Sequence, residues 1–598
     1  MKLSKLYTNK SEIFKPIIFS PGLNVVLAEI RDPKNLNKDT HNLGKSTLGR
    51  LLDFTLLAGK NANLFLFRHK DIFSTFVFFL EIELDSGSFI TIRRSVKEAS
   101  KIAFKQHDSS NQDYSDLAPQ KWNHWNIAFE QAKRILDGLL DWRSLNPWSF
   151  RMILGYLLRS QDDFRDVFQL GKFSGKHAEW KPFLAHLLGF NAQEISDLYD
   201  KENQVEEKRK AVNVLRRELI NPLEDIGKIE GLILLKQKDI EEKQAFLDSF
   251  DFSNVDKEST NRLVDELDQH IAELNSRRYT LRINRKRIQE SLQEGQILFN
   301  IKEAQQLFNE AGILFQGQIK KDFQQLIEFN RAITDERRCY LQEENADIEQ
   351  ELKYINDELA QLAKKRSVTL SFLSETDVFI KYRETSAALS TLRADIKVLE
   401  HQRTQLQHLQ QLRTEYRQLQ EECSHLKTSI EADVNKRNAD SGSLFSAIRI
   451  FFNEIIEEVL DRKALLSVEV NKQGHLDFKV EVLDETGNRT SADLGHSYRK
   501  LLCIAFDLAI LRAHAHEPFP RFVFHDGVLE SLDNRKKENL LAVIRRYAAF
   551  GLQPIITLID SDLSALPEGS LSHFSEDEII LSLHDMDNNG RLFKIEEW

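Results

Sequence analysis

The sequence predicts an α/β head assembled from the N- and C-terminal segments of the chain, separated by a long antiparallel coiled-coil insertion. Three observations predict it. Proline is scarce, eleven in 598 residues, and none lies between Pro222 and Pro518. A globular region of that length would need many proline-marked turns, whereas a helical one would hold almost none. All tryptophans except Trp598 fall between Trp122 and Trp180, which gathers the largest core side chains in the first third. Between about 196 and 435, apolar residues recur at alternating steps of three and four, the signature of paired helices.

Residues 1–195 read as the N-terminal half of the head. LNVVLAE (Leu23 to Glu29) is a short apolar strand, and Phe76 to Val96 is a hairpin turning at Asp85-Ser86-Gly87-Ser88. Between them, LGRLLDFTLLAG has helical spacing through Leu48, Leu51, Leu52, Thr55 and Leu56. An outgoing coiled-coil arm follows over 196–306. Val264, Leu267, Ile271, Leu274, Leu281, Ile288 and Leu292 form its seam, with Arg278 and Arg285 at two seam positions. The apex is expected at 307–318, where Gly312 and Gly317 interrupt the heptads.

The returning arm, 319–435, continues through Ile348, Leu352, Ile355, Leu359 and Leu362. Later runs are Leu392, Ile396 and Leu399, then Leu412, Tyr416, Leu419, Cys423, Leu426 and Ile430. Each arm of roughly 100 residues would reach on the order of 150 Å at about 1.5 Å per residue. Both arms break, at Leu247 to Ser259 and at Thr369 to Phe379, and these breaks are expected to face each other as a joint. Residues 436–598 return to α/β character. They hold strands at ALLSVEV and HLDFKVEV and a bend at Glu485-Thr486-Gly487-Asn488. A set of ordinary bundle helices is the alternative for the middle, with few turn signals to support it.

Chemistry concentrates in a few short stretches. DTHNLGKSTLGRLLDF (Asp39 to Phe54) carries Gly44-Lys45-Ser46-Thr47 at the mouth of the amphipathic helix. A phosphate-binding loop reads G-x-x-x-x-G-K-[ST], and its first glycine here is Asp39. Lys45 would neutralise phosphate charge, the N–H groups from Leu43 to Thr47 would meet phosphate oxygens, and Ser46 would hold magnesium. The bland alternative is a chance GKST at a helix start. After the insertion, the apolar strand Phe522 to Phe524 runs up to Asp526, an acid placed to share that magnesium.

Asp533 follows seven residues later, and Asp493 to Leu511 is a loop feeding an apolar helix. RSQDDF (Arg159 to Phe164) offers Gln161 as a Q-loop residue. In this order, THNLGKST, RSQDDF, SYRKLLCIAFDLA and HDGVLESLDNR resemble the ATPases of the structural-maintenance-of-chromosomes (SMC) class and the coiled-coil ATPase of double-strand-break repair complexes. THNLGKST, HDGVLESLDNR and SYRKLLCIAFDLA look closer still to an uncharacterised bacterial branch associated with multi-component ABC-type anti-phage defence systems.

The resemblance spans essentially the whole chain and implies an α/β ABC-type ATPase head. It implies ATP and Mg2+ as cofactors, with Asn42, Leu43, Gly44, Lys45, Ser46, Thr47, Gln161 and Asp526 at the nucleotide. Ser46, Gln161 and Asp526 would meet the metal. Gly495, Ser497 and Tyr498 would stand at the signature position and Asp533 at the D-loop, both facing the nucleotide of a second head. A homodimer through ATP-bound heads is therefore implied.

The departures are as specific as the matches. Ten residues, IRDPKNLNKD, separate the LNVVLAE strand from THNLGKST, where relatives pass almost directly. The signature serine–glycine–glycine has become Gly495-His496-Ser497, and Gly527 stands where a catalytic glutamate is usual. Ile555 to Leu563 supplies no switch histidine, only Asp560 or its neighbours. Glu530 is the nearest carboxylate after Asp526, either the general base or an exposed acid at a helix start.

Other features divide between a functional and a plain reading. Asn275 to Gln289 holds Arg277, Arg278, Arg282, Arg285, Lys286 and Arg287 and no acid. It is either a path for a DNA backbone or a coil face paired with acids of the return arm. His514, His516 and His525 make a poor zinc pattern. Phe299, Phe308 and Phe315 near the apex read as packing, and the tip has no Cys-x-x-Cys.

A net charge of −11 argues against a uniformly basic nucleic-acid coat. Three dispersed cysteines and the absence of a signal-like or membrane-length apolar run suit a cytoplasmic protein with no membrane contact. Three functions remain open: an ATP-driven clamp or sensor acting on DNA or on a partner effector or nuclease, a nucleotide-binding scaffold with little hydrolysis, and a DNA-repair ATPase.

Overall fold

The computed structural model describes residues 1–31, 43–173, 175–218, 225–249, 257–293, 317–371, 377–484, 487, 495–563 and 574–596. The chain divides into two compact units, Met1–Asn203 with Glu421–Trp598, and Gln204–Gln420. Along the chain come strands β1 (Lys2–Thr8), β2 (Ile17–Ile18) and β3 (Asn24–Glu29), then helix α1 (Lys45–Thr55). Strands β4 (Val77–Glu83), β5 (Phe89–Ser95), β6 (Lys101–His107), β7 (His124–Ala128) and β8 (Leu158–Arg159) follow. Five long helices come next: α2 (Ala192–Glu218), α3 (Ile226–Asp248), α4 (Lys257–Gln293), α5 (Gly317–Ser371) and α6 (Asp377–Ala439). The remainder is α7 (Leu444–Leu460), β9 (Ala464–Val470), β10 (Leu476–Val482), α8 (His496–Ala513), β11 (Phe522–His525), α9 (Asn534–Ala549), β12 (Gln553–Ile559) and β13 (Ile579–His584).

The first unit is organised by a five-stranded sheet in the order β13-β3-β12-β11-β8. Every neighbouring pair in it is parallel. Its interior strands are buried almost continuously, as FVFH in β11 and QPIITL in β12, because a parallel sheet is covered on both faces. Two of the five strands come from before the long helices and three from after them. Gln553 fastens the two chain ends. It is fully buried, its Oε1 accepts from the Leu3 N–H at 2.7 Å, and its Nε2 donates to the Leu3 and Ser20 carbonyls at 2.8 and 2.7 Å.

A second, antiparallel sheet runs β2-β1-β4-β5-β6-β7. The β4–β5 hairpin closes through Leu84 and Ser88, with Gly87 at φ +79°. Helix α1 buries Leu48, Leu51, Leu52 and Thr55, the stripe its spacing predicts.

In the second unit, α4 and α5 pack antiparallel. Leu274, Ile355 and Leu362 form one buried cluster, flanked by Leu267, Ile271, Leu281 and Leu359. Ile288, Ile348 and Leu352 form the next, with Leu292 beside them. The two seam arginines find polar partners across the pair. Arg278 donates to Asn356 at 3.3 Å and Arg285 to Glu349 at 2.6 Å. Helices α3 and α6 share a third cluster, Ile229 and Ile233 with Ile396, Leu399, Leu406 and Leu409.

The expected apex at 307–318 lies outside the described residues but for the first residues of α5, as do Phe299, Phe308 and Phe315 and the centres of both arm breaks. On the described flanks of those breaks, three helices meet at a buried polar contact. Asp268 of α4 lies 2.9 Å from Arg366 of α5 and accepts from the Ser386 hydroxyl of α6 at 2.6 Å. Burial outweighs the Ser386 and Arg366 contacts and holds the Asp268 carboxyl above its ordinary value. Arg366→Met removes the charge partner from this carboxylate and is expected to destabilise the second unit by about 3 kcal/mol. Asp268→Asn, which removes the charge itself, should cost clearly less. Urea unfolding of both variants, followed by helical circular dichroism, checks the order.

Candidate functional site

In a parallel sheet all strands end on one side, and that side is where ligands bind in open α/β folds. The carboxyl ends of β8, β11 and β12 lead directly into Gln161, Asp526 and Asp560. Residues 39 to 42 of the loop after β3, including Asn42, lie outside the described residues. Leu43 is buried and its carbonyl accepts from the Leu592 N–H at 3.0 Å, so the C-terminal segment backs the loop.

Gly44 takes φ +105°, and a Cβ there would stand 2.6 Å from the Leu592 side chain. Glycine is needed on both counts. Helix α1 starts at once behind it, with no side-chain cap and no acid in its first turn. The first intrahelical bond is Leu48 N–H to Gly44 carbonyl. The N–H groups of Lys45, Ser46 and Thr47 therefore stand at the positive end of the helix dipole.

Lys45 is 6 % exposed, and its ammonium has no hydrogen-bond partner among the described residues. Four other lysines among the described residues are also buried, and each has one. Lys5 donates to Asn111 and Gln112, Lys181 to Leu476, Lys500 to Gly527 and Lys537 to Asp562. Burial lowers the Lys45 pKa, while Glu530, Asp526, Asp562 and Asp560 act in the opposite direction. Lys45 thus places a buried ammonium among carboxylates beside an uncapped helix N-terminus, where an anion would be favoured.

The Ser46 hydroxyl donates to Asp526 Oδ2. Asp526 is fully buried, and its Oδ1 accepts from Thr557 at 2.7 Å, which fixes the carboxylate. Gln161 does not join this pair. Its amide donates to both oxygens of Glu530, at 3.1 and 3.0 Å.

Gly527 takes φ +64°, and a Cβ there would lie 2.7 Å from the Glu530 carboxyl carbon. The Glu530 carboxylate thus occupies the space that a side chain at 527 would enter. Glutamate at 530 and glycine at 527 are one arrangement.

Signature and D-loop residues have a different set of partners. Gly495 is the N-cap residue of α8, and Ser497 lies in its first turn, with its side chain outside the described residues. Lys536 lies 5.2 Å over the Tyr498 ring and pairs with Asp533 at 2.6 Å. Asp533 also caps α9 by accepting from the Lys536 N–H. The side-chain bond to the Lys536 ammonium, more than this backbone bond, holds its carboxyl below the usual value.

The basic stretch of α4 is largely engaged by acids. Arg277 pairs with Glu351, Arg285 with Glu349 and Lys286 with Glu290. Arg278 bonds Asn356 and has Arg282 as a charged neighbour. Arg287 completes the run on α4. The histidines separate: His514 bonds Glu517 and the Leu187 carbonyl, and His525 bonds Asp507.

Sequence reasoning missed the layer beneath the site. Arg159 and Asp507 are fully buried and joined by two hydrogen bonds, at 2.8 and 3.0 Å. Burial is the largest single influence and opposes the Arg159 charge, but Asp507 and its other neighbours together outweigh it and raise the pKa. Asp507 also accepts from His525, the neighbour of Asp526, at 3.0 Å. A charge inside an otherwise apolar helix, DLAIL after CIAF, was the signal for Asp507. Lys500 at the start of the same run was the other.

A metal at Ser46 and Asp526 would have one hydroxyl and one carboxylate from the chain, which suits magnesium completed by phosphate and water oxygens. No group of three or more His, Cys, Asp or Glu positioned to hold a metal occurs among the described residues.

Comparison with known proteins gives three findings. Residues 455–597 match a family described as "Uncharacterised protein conserved in bacteria (DUF2326)". An Smc head domain with a coiled coil and joint from Pyrococcus yayanosii is 14 % identical, covering 94 % of this chain and 93 % of that one, with a TM-score of 0.34. The Smc head domain from Pyrococcus furiosus, bound to the C-terminal domain of ScpA, is 14 % identical over 94 % and 91 %, with a TM-score of 0.32. No curated protein matches the chain. No helix among the described residues is long and apolar enough to cross a membrane.

Two substitutions test this geometry. Asp507→Ala strands the buried Arg159 and is expected to cost about 3–5 kcal/mol in urea unfolding of the first unit. Gly527→Ala forces a side chain into a left-handed turn and against Glu530, and should cost about 1–3 kcal/mol. Adding Glu530→Ala should recover only the steric part.

Proposed function

We propose that this chain is an SMC-like ATPase that binds ATP with Mg2+ on its α/β head and hydrolyses it. The observation that carries the reading is the buried Lys45 ammonium, unpartnered beside the uncapped start of α1, with Ser46 and Asp526 joined next to it. Lys45 and the N–H groups at the start of α1 bind the β- and γ-phosphates. Ser46 and Asp526 would hold the magnesium, which would supply positive charge against the phosphate oxygens.

Glu530 acts as the base. Water attacks the γ-phosphorus, the bond to the ADP oxygen breaks, and the water proton passes to the Glu530 carboxylate. Gln161 orients that carboxylate through its amide. General-base assistance of this kind contributes roughly 10²–10⁴-fold.

ATP-bound heads pair, with Gly495, Ser497, Tyr498 and Asp533 of one facing the nucleotide of the other. The ATP state then controls a grip on DNA or the release of a partner effector or nuclease, in a cytoplasmic complex of the anti-phage defence kind. The ion pairs of Arg277, Arg285 and Lys286 are exposed and worth about 0–1 kcal/mol each. A phosphate backbone would displace them at little cost.

The test is ATP turnover by the full chain, with and without duplex DNA. Lys45→Ala should abolish turnover. Glu530→Gln should lower it about 100-fold or more while ATP still binds. Tight ATP binding with no turnover by the native chain would leave a nucleotide-held scaffold instead. Turnover indifferent to Lys45 would end the reading altogether.

A further inference from the structure

Lys500 is a charge in an unusual place. It lies in α8 directly before Leu501, Leu502, Cys503 and Ile504, all buried, and is itself 2 % exposed. Desolvation of the ammonium is costly, and an apolar side chain of similar volume would pack there without that cost. Burial does lower the Lys500 pKa, against the opposing pull of Glu530, Asp526 and Asp562. Something must hold the charge in place, and its contacts say what.

The ammonium donates to the Gly527 carbonyl at 2.8 Å and lies 3.7 Å from Glu530 Oε2. The same Gly527 donates its N–H to Thr557 at 2.8 Å, and Thr557 donates to Asp526. Both ends of the left-handed residue are therefore tied, one to the residue that fixes Asp526 and the other to Lys500. The Glu530 carboxylate, whose side chain is 24 % exposed, is held between Gln161 on one side and Lys500 on the other.

We propose that Lys500 is the positioning residue for Glu530: it locks the Gly527 turn through the carbonyl and draws the carboxylate over it. This rests on Glu530 being the base. Lys500 compensates for the position of that base. A glutamate at 527 would be aimed by its own backbone, whereas one three residues further on reaches the same space from a turn that must be held.

The experiment is steady-state ATP hydrolysis by the full chain carrying Lys500→Met, Lys500→Arg, Lys500→Gln, Glu530→Gln, or Lys500→Met with Glu530→Gln. Melting temperature and affinity for a fluorescent ATP analogue accompany each. Lys500→Met should lower kcat roughly tenfold to a hundredfold, the scale expected for a misplaced catalytic group. The KM for ATP and analogue affinity should stay within about twofold. Arginine, which keeps the charge, should restore part of kcat. In the Glu530→Gln background, Lys500→Met should change nothing further.

Should Lys500→Met fail to fold, Lys500→Gln keeps a donor for the Gly527 carbonyl without the charge and is expected to show a smaller kcat loss in the same direction. The proposal is overturned by an unchanged kcat in Lys500→Met or Lys500→Gln beside a dead Glu530→Gln. It is equally overturned by a kcat loss that persists undiminished in the Glu530→Gln background. Full turnover in Glu530→Gln removes the base itself and the proposal with it.

Discussion

Ser46 and Asp526 are 480 positions apart and share a hydrogen bond. That contact exists because one parallel sheet takes β3 and β8 from before the long helices and β11, β12 and β13 from after them. Neither set can bury its strands alone. A parallel sheet needs both faces covered and its interior strands paired on both edges, so the chain ends must find each other before either is stable. The Gln553 side chain, bonded to Leu3 and Ser20, adds a specific lock to this requirement. Everything proposed for the head follows from it, since the loop carrying Lys45 and the acid at 526 come from opposite ends.

The second organising feature is how buried charge is distributed. Arg159 is matched by Asp507, and Asp526 by Thr557 and Ser46. Lys500 faces the Gly527 carbonyl and Glu530. Lys45 stands apart, with carboxylates near it but no acceptor in bonding distance among the described residues. The start of α1, uncapped and without an acid in its first turn, adds the positive end of its dipole beside that ammonium.

Much of this was legible in the sequence because it lies in local pattern. The α1 stripe, the β4–β5 hairpin and the seam residues from Leu267 to Leu292 follow from period and turn chemistry alone. That Lys45 and Ser46 open a helix was readable because glycine, lysine and serine before an amphipathic run form a local motif. What could not be read was mutual position. The contact between the Gln161 amide and both Glu530 oxygens is one such position, joining residues 369 apart in the chain. The bend of the turn after β11 comes from the φ of Gly527, and no pattern in HDGVLES specifies it. The roles of Lys500 and Asp507 were hidden for the same reason. Their partners lie on β8, on β11 and in the turn after β11, and a charge within an apolar run announces burial without naming its partner.

The most direct measurement is a high-resolution structure of the full chain with Mg2+ and a non-hydrolysable ATP analogue. The account predicts β- and γ-phosphate oxygens on Lys45 Nζ and on the N–H groups at the start of α1. It also predicts that magnesium separates Ser46 from Asp526, replacing their direct hydrogen bond. An analogue bound elsewhere, with Lys45 still unpartnered and the Ser46–Asp526 bond intact, would contradict it.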